Sequence, residues 1–174
     1  MKILDATAGY KEIWFQKNHP LVTFMDIRNG KIDTKTENTK FKNRRRIEIN
    51  PDVVSSWDRA PFPDNSFDMI VFDPPHIIRK KDRVTSTMEY KYGWLYEDNW
   101  KQILKSGIDK LFKILKPEGV FVLKWSECNK KIDEIISLFP YPPLFGTRSG
   151  KNNTNLWIVF LKYDVNMKLD KIQT

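Results

Sequence analysis

Short apolar runs alternate with longer stretches of helical periodicity along most of this chain. Most of the short runs end at turn-forming residues, which is typical of buried strands. The predicted strands cover residues 3–4, 21–24, 47–49, 66–72, 120–124 and 156–161. Apolar side chains recur three and four positions apart in residues 99–116 and 129–139, and residues 10–18 predict a shorter helix. This alternation predicts an α/β domain in which helices connect the strands of one sheet.

Turn chemistry marks the ends of the longest predicted helix and two polar segments. Asp98 is the predicted N-cap of helix 99–116, and the sequence Pro117-Glu118-Gly119 is expected to end that helix. The Lys-rich segment 28–46 and the basic, aromatic segment 77–97 are predicted to be mobile loops. No repeat or linker divides the chain, so we expect a single domain over residues 1–174, without a separate target-recognition domain.

The 174-residue chain is basic, with 30 Lys and Arg against 22 Asp and Glu and a formal net charge of +8. This charge favours a polyanionic partner such as nucleic acid, because bound Lys and Arg release phosphate counterions. An ordinary solvated surface in a Lys-rich protein would give the same composition. Cys128 is the only cysteine, so a reducing, cytoplasmic compartment is expected. No apolar run approaches the ~20 residues of a membrane span, and no membrane partner is expected.

Three acidic residues, Asp5, Asp26 and Asp73, each follow a predicted strand. In an open α/β sheet, ligands bind beyond the carboxyl ends of the strands. The small residues of Asp5-Ala6-Thr7-Ala8-Gly9 would let a ligand approach the backbone, and Asp26 could accept hydrogen bonds from ribose hydroxyls. The chain has neither a GxGxxG pattern nor a P-loop, which favours a nucleoside with a short tail over a dinucleotide or triphosphate. Each acid, taken singly, could equally be a turn former or helix N-cap.

The sequence Asp73-Pro74-Pro75-His76 is the sharpest chemical signal. The two prolines lack N–H donors and fix the chain direction. The Asp73 carboxylate and the Pro74 carbonyl can both accept hydrogen bonds from an amino group, and an aromatic ring beside them can stack on a flat base. A rigid turn after a strand is the alternative interpretation.

Together these motifs resemble the class I S-adenosylmethionine-dependent methyltransferases, most closely the small phage and bacterial DNA adenine-N6 enzymes. The resemblance also includes residues 61–68, which lead into the predicted fourth strand, and residues 115–119, before the fifth. It implies a Rossmann-like, seven-stranded, mostly parallel sheet with helices on both faces and a last antiparallel strand, Leu156–Leu161. It also implies S-adenosylmethionine as the cofactor and direct attack of an amino nitrogen on its methyl group.

The resemblance assigns roles to two sets of residues. The catalytic residues would be Asp73, Pro74, Pro75 and His76. The residues that contact the cofactor would be Asp5, Ala6, Thr7, Gly9, Asp26, Ile27, Ser56, Trp57 and Asp73. With only two histidines in the chain, no metal site is expected.

The chain departs from the family at three points, and the third of them leaves the substrate open. His76 stands where Tyr, Phe or Trp is usual, and Ser56-Trp57, between Asp52 and Asp58, replaces the acid that meets the cofactor's adenine. The third departure is the missing target-recognition domain. Methylation of adenine N6 in DNA is the first hypothesis. The alternatives are methylation of an RNA base and a cofactor-binding module without turnover. A small-molecule or protein substrate is a weaker hypothesis. A second subunit could complete the site.

Two clusters of basic residues are the candidate nucleic-acid contacts. The first is Arg44–Arg46, and the second is the segment from Arg79 to Tyr96, which holds Arg79, Lys80, Lys81, Arg83, Tyr90, Tyr92, Trp94 and Tyr96. Basic groups for phosphates and aromatic rings for bases suit a splayed or single-stranded target. The Tyr and Trp side chains of the second cluster could instead pack against helix 99–116 as core.

Overall fold

A computed structural model of the chain describes residues 1–33, 46–80 and 92–163. Its strands are β1 (Ile3–Asp5), β2 (Val22–Asp26), β3 (Gly30–Asp33), β4 (Arg46–Ile49), β5 (Val53–Val54), β6 (Phe67–Phe72), β7 (Ile78–Arg79), β8 (Leu95–Tyr96), β9 (Leu115–Ser126), β10 (Phe145–Ser149) and β11 (Asn155–Leu161). The α-helices are α1 (Trp100–Ile114) and α2 (Ile132–Ile136), and single 3-10 turns cover Trp57–Arg59 and Lys151–Asn153. None of the described helices is long and apolar enough to cross a membrane.

Seven strands form the main sheet, in the order β10-β11-β9-β6-β1-β2-β5. The pairs from β9 to β5 are parallel, whereas β11 runs antiparallel to both β9 and β10. The predicted seven-stranded, mostly parallel sheet with an antiparallel last strand is therefore confirmed. Strand β10 was not predicted, because its five residues are all exposed and carry no apolar alternation.

Alternate residues of the central strands form one large core on a single face of the sheet. Successive side chains of a strand point to opposite faces, so every second residue is buried there. The buried strand residues are Leu4, Met25, Ile70, Phe72, Phe121, Leu123, Trp125, Leu156, Ile158 and Phe160. The apolar residues of α1 and α2 pack into the same cluster. Both described α-helices thus lie on this face. The sequence predicted helices on both faces of the sheet.

The other face is covered differently beside β1 and β2. A smaller cluster there joins Ala8, Val22 and Phe24 to Ile3 and Trp14. Residues 10–18, predicted as a helix, form turns instead. Gly9 and Lys11 both have positive φ, at 53° and 60°, a conformation that no α-helix accommodates. Within this segment Trp14 packs edge-on against Phe24, with ring centroids 5.4 Å apart.

The two segments predicted as loops contain paired strands. Strands β3 and β4 form an antiparallel hairpin, and β7 pairs with β8 in parallel. Residues 34–45 and 81–91 of these segments lie outside the described residues. The predicted strand 47–49 exists within β4, but it pairs with β3 and the main sheet continues through β5 instead.

The boundaries of the predicted helices also differ. The N-cap of α1 is Asn99 rather than Asp98, and it makes no side-chain capping bond. The chain passes from α1 directly into β9, so Pro117-Glu118-Gly119 lies within an irregular strand instead of ending the helix. Two backbone hydrogen bonds to Lys162 hold that segment. The Glu118 N–H donates to the Lys162 carbonyl at 2.7 Å, and the Lys162 N–H donates to the Gly119 carbonyl at 3.0 Å. The second helix is confirmed only over Ile132–Ile136.

Helix α1 makes room for an indole ring at Gly107. This glycine is buried in the middle of the helix, where a Cβ atom would overlap Cδ1 of Trp57. The Trp57 ring also packs edge-on against Phe72, with ring centroids 5.5 Å apart. The absence of a side chain at Gly107 therefore allows Trp57 to lie between the helix and the sheet.

We expect Gly107→Ala to lower the free energy of unfolding. Alanine in a helix interior normally stabilises by about 0.5–1 kcal/mol relative to glycine, but overpacking costs typically about 1–3 kcal/mol. Urea unfolding of Gly107→Ala against Ser106→Ala, an exposed neighbour in the same helix, measures the effect. A Gly107→Ala protein more stable than the parent would contradict this packing.

Candidate active site

A cavity of about 420 Å³ lies at the carboxyl ends of β1, β2 and β6. All nine residues predicted to contact the cofactor line it: Asp5, Ala6, Thr7, Gly9, Asp26, Ile27, Ser56, Trp57 and Asp73. Its volume is in the range of small-molecule sites, which span about 300–1,000 Å³. The fold therefore brings the predicted residues together, and their role in binding a cofactor stays a prediction.

Asp5 is almost completely buried at the end of β1. The indole N–H of Trp14 donates to its Oδ2 at 2.6 Å, and the Thr7 backbone N–H donates to Oδ1 at 3.1 Å. Burial raises the pKa of Asp5 to about 7, although both hydrogen bonds oppose this shift. The carboxyl group thus ties the loop after β1 to Trp14 and titrates near neutral pH.

Asp26, at the end of β2, is surrounded by donors from the protein itself. Oδ2 accepts from the Gly9 backbone N–H at 2.8 Å, and Oδ1 accepts from the Arg28 backbone N–H at 2.9 Å. The Arg28 guanidinium completes the set, with Nε 3.0 Å from Oδ1 and Nη2 3.2 Å from Oδ2. Arg28 was not identified from the sequence, where it reads as an ordinary basic residue.

The wall beside β2 and the 3-10 turn combines apolar and charged side chains. Ile27 is 62% exposed although it is a large aliphatic residue, and it lines the cavity with Trp57 and Ile103. Asp58 also lines this wall, and its Oδ1 accepts from the Ser56 hydroxyl at 2.5 Å. Asp52 has a structural role instead, because its carboxylate accepts the Phe24 backbone N–H at 2.8 Å.

Asp73 follows β6 and is held at two points. Its backbone N–H donates to the Thr7 hydroxyl oxygen at 2.7 Å, which joins the loop after β1 to the end of β6. Its Oδ2 accepts from Nζ of Lys124 at 2.5 Å, and both side chains are largely buried. Burial raises the pKa of Asp73, and the Lys124 ammonium opposes that shift. Lys124 was missed from the sequence because it occupies an ordinary position in a strand.

The remaining motif residues differ in their access to the cavity. Pro75 lines it and Pro74 is buried, whereas His76 lies beside it, between the rings of Tyr92 and Trp125. The ring centroids of those neighbours are 6.3 and 6.4 Å from that of His76. Burial lowers the pKa of His76 from its ordinary value, which favours the uncharged form of its imidazole.

The described part of the second basic cluster contributes mainly aromatic side chains to the cavity wall. Tyr92, Gly93 and Trp94 line the cavity, and the Tyr92 hydroxyl donates to Oε2 of Glu12 at 2.9 Å. The Arg79 guanidinium lies 4.3 Å from the centre of the Trp94 ring. Arg44, Arg45, Lys81, Arg83 and Tyr90 lie outside the described residues, as does the side chain of Arg46. Glu12, which the sequence analysis did not single out, is a further acid of the cavity wall.

The sequence matches no known protein-family profile and no curated protein. The fold resembles that of a protein from Pyrococcus horikoshii, with TM-score 0.59, 11% identity, and coverage of 94% of this chain and 82% of that one. It also resembles the 1,6-didemethyltoxoflavin-N1-methyltransferase of Burkholderia thailandensis, solved with bound 1,6-didemethyltoxoflavin and S-adenosylhomocysteine (TM-score 0.54, 14% identity, coverage 94% and 71%). A SAM-dependent methyltransferase of Methanosarcina mazei is similar too, with TM-score 0.53, 12% identity, and coverage of 93% of this chain and 92% of that one. At these identities the likeness shows the fold, which is that of the class I methyltransferases.

The titration of Asp5 gives a pH-dependent contribution to stability. Its pKa in the folded protein, about 7, is above its ordinary value of 3.8, so the contribution is complete below pH 3.8 and is lost as pH rises through 7. Between about pH 5 and 8, the difference in unfolding free energy between Asp5→Asn and the parent should move by roughly 2–3 kcal/mol in favour of the variant.

Urea unfolding of both proteins at several pH values measures that difference. Asp64→Asn, which removes an exposed carboxylate in the turn before β6, reports the pH effects common to the whole fold. A difference between Asp5→Asn and the parent that stays constant across this range would show that Asp5 does not titrate there.

Proposed function

We propose that this protein transfers a methyl group from S-adenosylmethionine to an exocyclic amino group of a nucleic-acid base, with N6 of adenine in DNA as the first candidate. One observation carries the proposal. Asp73 and Pro75 of the amino-group motif line the same cavity as the acidic ends of β1 and β2. A nucleoside cofactor and an amino acceptor would therefore meet in one enclosed space.

The cavity suits the cofactor chemically. S-adenosylmethionine supplies an electrophilic methyl group on a sulfonium, and it also carries an ammonium group and an adenosine. Five carboxylates line the cavity, those of Asp5, Glu12, Asp26, Asp58 and Asp73. Asp26 and Asp73 are paired with Arg28 and Lys124, and Asp5 has a raised pKa, so Glu12 and Asp58 are the carboxylates whose charge would attract a cationic ligand. Ile27 offers an exposed apolar surface for the adenine ring.

The residues of the motif supply acceptors for an amino group. Lys124 holds Oδ2 of Asp73, and no described residue donates to Oδ1. The Pro74 carbonyl likewise accepts no hydrogen bond from the described residues. Asp73 lines the cavity and could take one N–H group of an amino nitrogen. The resemblance assigns the second N–H group to the Pro74 carbonyl, which would leave the lone pair directed at the methyl donor. Rate enhancement would then come mainly from the orientation of two bound reactants.

Three aromatic groups near Asp73 could hold a flat base by stacking. Trp94 and Tyr92 line the cavity, and His76 lies next to Tyr92. A base in a duplex would have to be flipped out to reach them. The net charge of +8 supports a polyanionic substrate, whether DNA or RNA.

A small heteroaromatic amine is the second candidate substrate. The Burkholderia thailandensis enzyme with the same fold is named as an N1-methyltransferase of 1,6-didemethyltoxoflavin, a small heterocycle. The same acceptors, Asp73 and the Pro74 carbonyl, would serve a free heterocycle as well as a flipped base. The two candidates differ in their need for a phosphate backbone.

Replacement of Asp73 should separate methyl transfer from cofactor binding. We expect Asp73→Ala to lower the methyl-transfer rate by at least about 100-fold, because one of the two amino-group acceptors is lost. Binding of S-adenosylhomocysteine, measured by calorimetry, should stay within about threefold of the parent. Asp64→Ala, outside the cavity, is the matched control. An Asp73→Ala protein with the parent's activity would rule out this mechanism.

The substrate can be identified by transfer of labelled methyl from S-adenosylmethionine to separate pools of duplex DNA, single-stranded DNA, RNA and free nucleosides. Nucleoside analysis of the labelled pool should give N6-methyldeoxyadenosine. Label in RNA, or in free nucleosides alone, would redirect the proposal to those substrates. Binding of the cofactor without transfer to any pool would favour a cofactor-binding module without turnover.

A further inference from the structure

The carboxylate of Asp26 has its acceptor positions taken by this chain itself. Two backbone N–H groups and two guanidinium nitrogens of Arg28 share its two oxygens, at 2.8 to 3.2 Å. The Asp26 side chain is only 5% exposed. Both oxygens of the acid that would bind ribose are therefore already occupied by strong donors.

The guanidinium of Arg28 also covers the backbone that a cofactor would approach. Nη2 lies 3.7 Å from where a Cβ atom of Gly9 would be. Gly9 is the end of the small-residue loop that leaves space for a ligand, and its φ of 53° favours glycine. One side chain thus covers both the ribose acceptor and the adjoining glycine turn.

We infer that Arg28 is an internal competitor for the cofactor's ribose, a side chain that ribose hydroxyls must displace from Asp26 before a nucleoside can bind. This inference rests on the proposed function, because it takes the cofactor to be a nucleoside. It identifies Arg28 as the residue that sets affinity and selectivity for a ribose with both hydroxyl groups.

The displacement is physically reasonable on both sides of the exchange. A buried carboxylate without a partner is strongly destabilising, so the ligand-free protein needs a cation at Asp26. Arg28 meets this need, and with 28% of its side chain exposed it can rotate towards solvent. The backbone N–H groups of Gly9 and Arg28 do not depend on the guanidinium, and they would continue to hold the carboxylate when hydroxyls replace it.

A second arginine of the same cavity provides a matched control. Arg59 lines the cavity, but its side chain is 83% exposed and its nearest contact with Asp58 is 3.8 Å. Arg59→Ala removes the same charge from the cavity wall without uncovering Asp26. The two variants together separate a general charge effect from release of the ribose acceptor.

The test is calorimetric titration of the parent, Arg28→Ala and Arg59→Ala with adenosine, 2′-deoxyadenosine and S-adenosylhomocysteine. Adenosine is uncharged, so its affinity reports the hydroxyl contacts without a change in net attraction. We expect Arg28→Ala to bind adenosine and S-adenosylhomocysteine about tenfold more tightly than the parent, with a smaller gain for 2′-deoxyadenosine. Arg59→Ala should change the affinities for adenosine and 2′-deoxyadenosine equally, because Arg59 makes no contact with Asp26.

Thermal melting gives a second readout, because the variant should be less stable than the parent without ligand but gain more stability from the ligand. Without ligand, Arg28→Ala should melt at a lower temperature than the parent, because Asp26 has lost its cation. With saturating S-adenosylhomocysteine, its rise in melting temperature should exceed that of the parent. If Arg28→Ala does not fold, Arg28→Gln, which keeps a donor but loses the charge and the planar fork, is judged by the same comparisons.

Three outcomes decide the matter. Tighter binding by the Arg28 variant, including binding that the parent lacks, supports the inference. Equal or weaker binding by the variant, with clear binding by the parent, overturns it and leaves the proposed cofactor in place. No binding of any adenosine compound by either protein removes the nucleoside cofactor itself, and this inference with it.

Discussion

Buried carboxylates are the constraint on which the site depends. Asp5, Asp26 and Asp73 stand at the ends of three neighbouring strands, because parallel strands end at one edge of the sheet. Removing such charges from water costs several kcal/mol each unless they are paired. Each acid meets this cost in a different way. Asp5 has a raised pKa and two neutral donors, Asp26 has backbone N–H groups with Arg28, and Asp73 has Lys124.

These different partners leave the three acids with different capacities for further bonding. The bonds of Asp5 to Trp14 and Thr7 shape the loop that takes the place of the first crossover helix. Asp26 is saturated, although one of its partners is a side chain near solvent. Asp73 keeps one oxygen available towards the cavity among the described contacts. Under the same burial constraint, Asp5 therefore shapes a loop, Asp26 is covered by Arg28, and Asp73 keeps an oxygen available for a ligand.

The sequence predicts the sheet well because each central strand is apolar and ends at an acid or turn. It predicts the residues around the cavity for the same reason, since strand order places those ends together. It does not reveal Lys124, because the register that sets Leu123 opposite Phe72 is a long-range pairing. It fails at residues 10–18, which form turns, because the backbone has positive φ at Gly9, just before them, and at Lys11. Strand β10 has no apolar pattern at all and is held only by its pairing with β11.

The position of His76 shows how burial can adapt a residue that departs from the aromatic motif. Imidazole offers less apolar area than the rings of Tyr, Phe or Trp, and its ordinary pKa near 6.5 would leave it partly charged. Here burial lowers that pKa, the Lys124 charge acts in the same direction, and only Asp73 opposes them. Lys124 thus affects both ends of the motif, because it pairs with Asp73 and helps to keep His76 neutral.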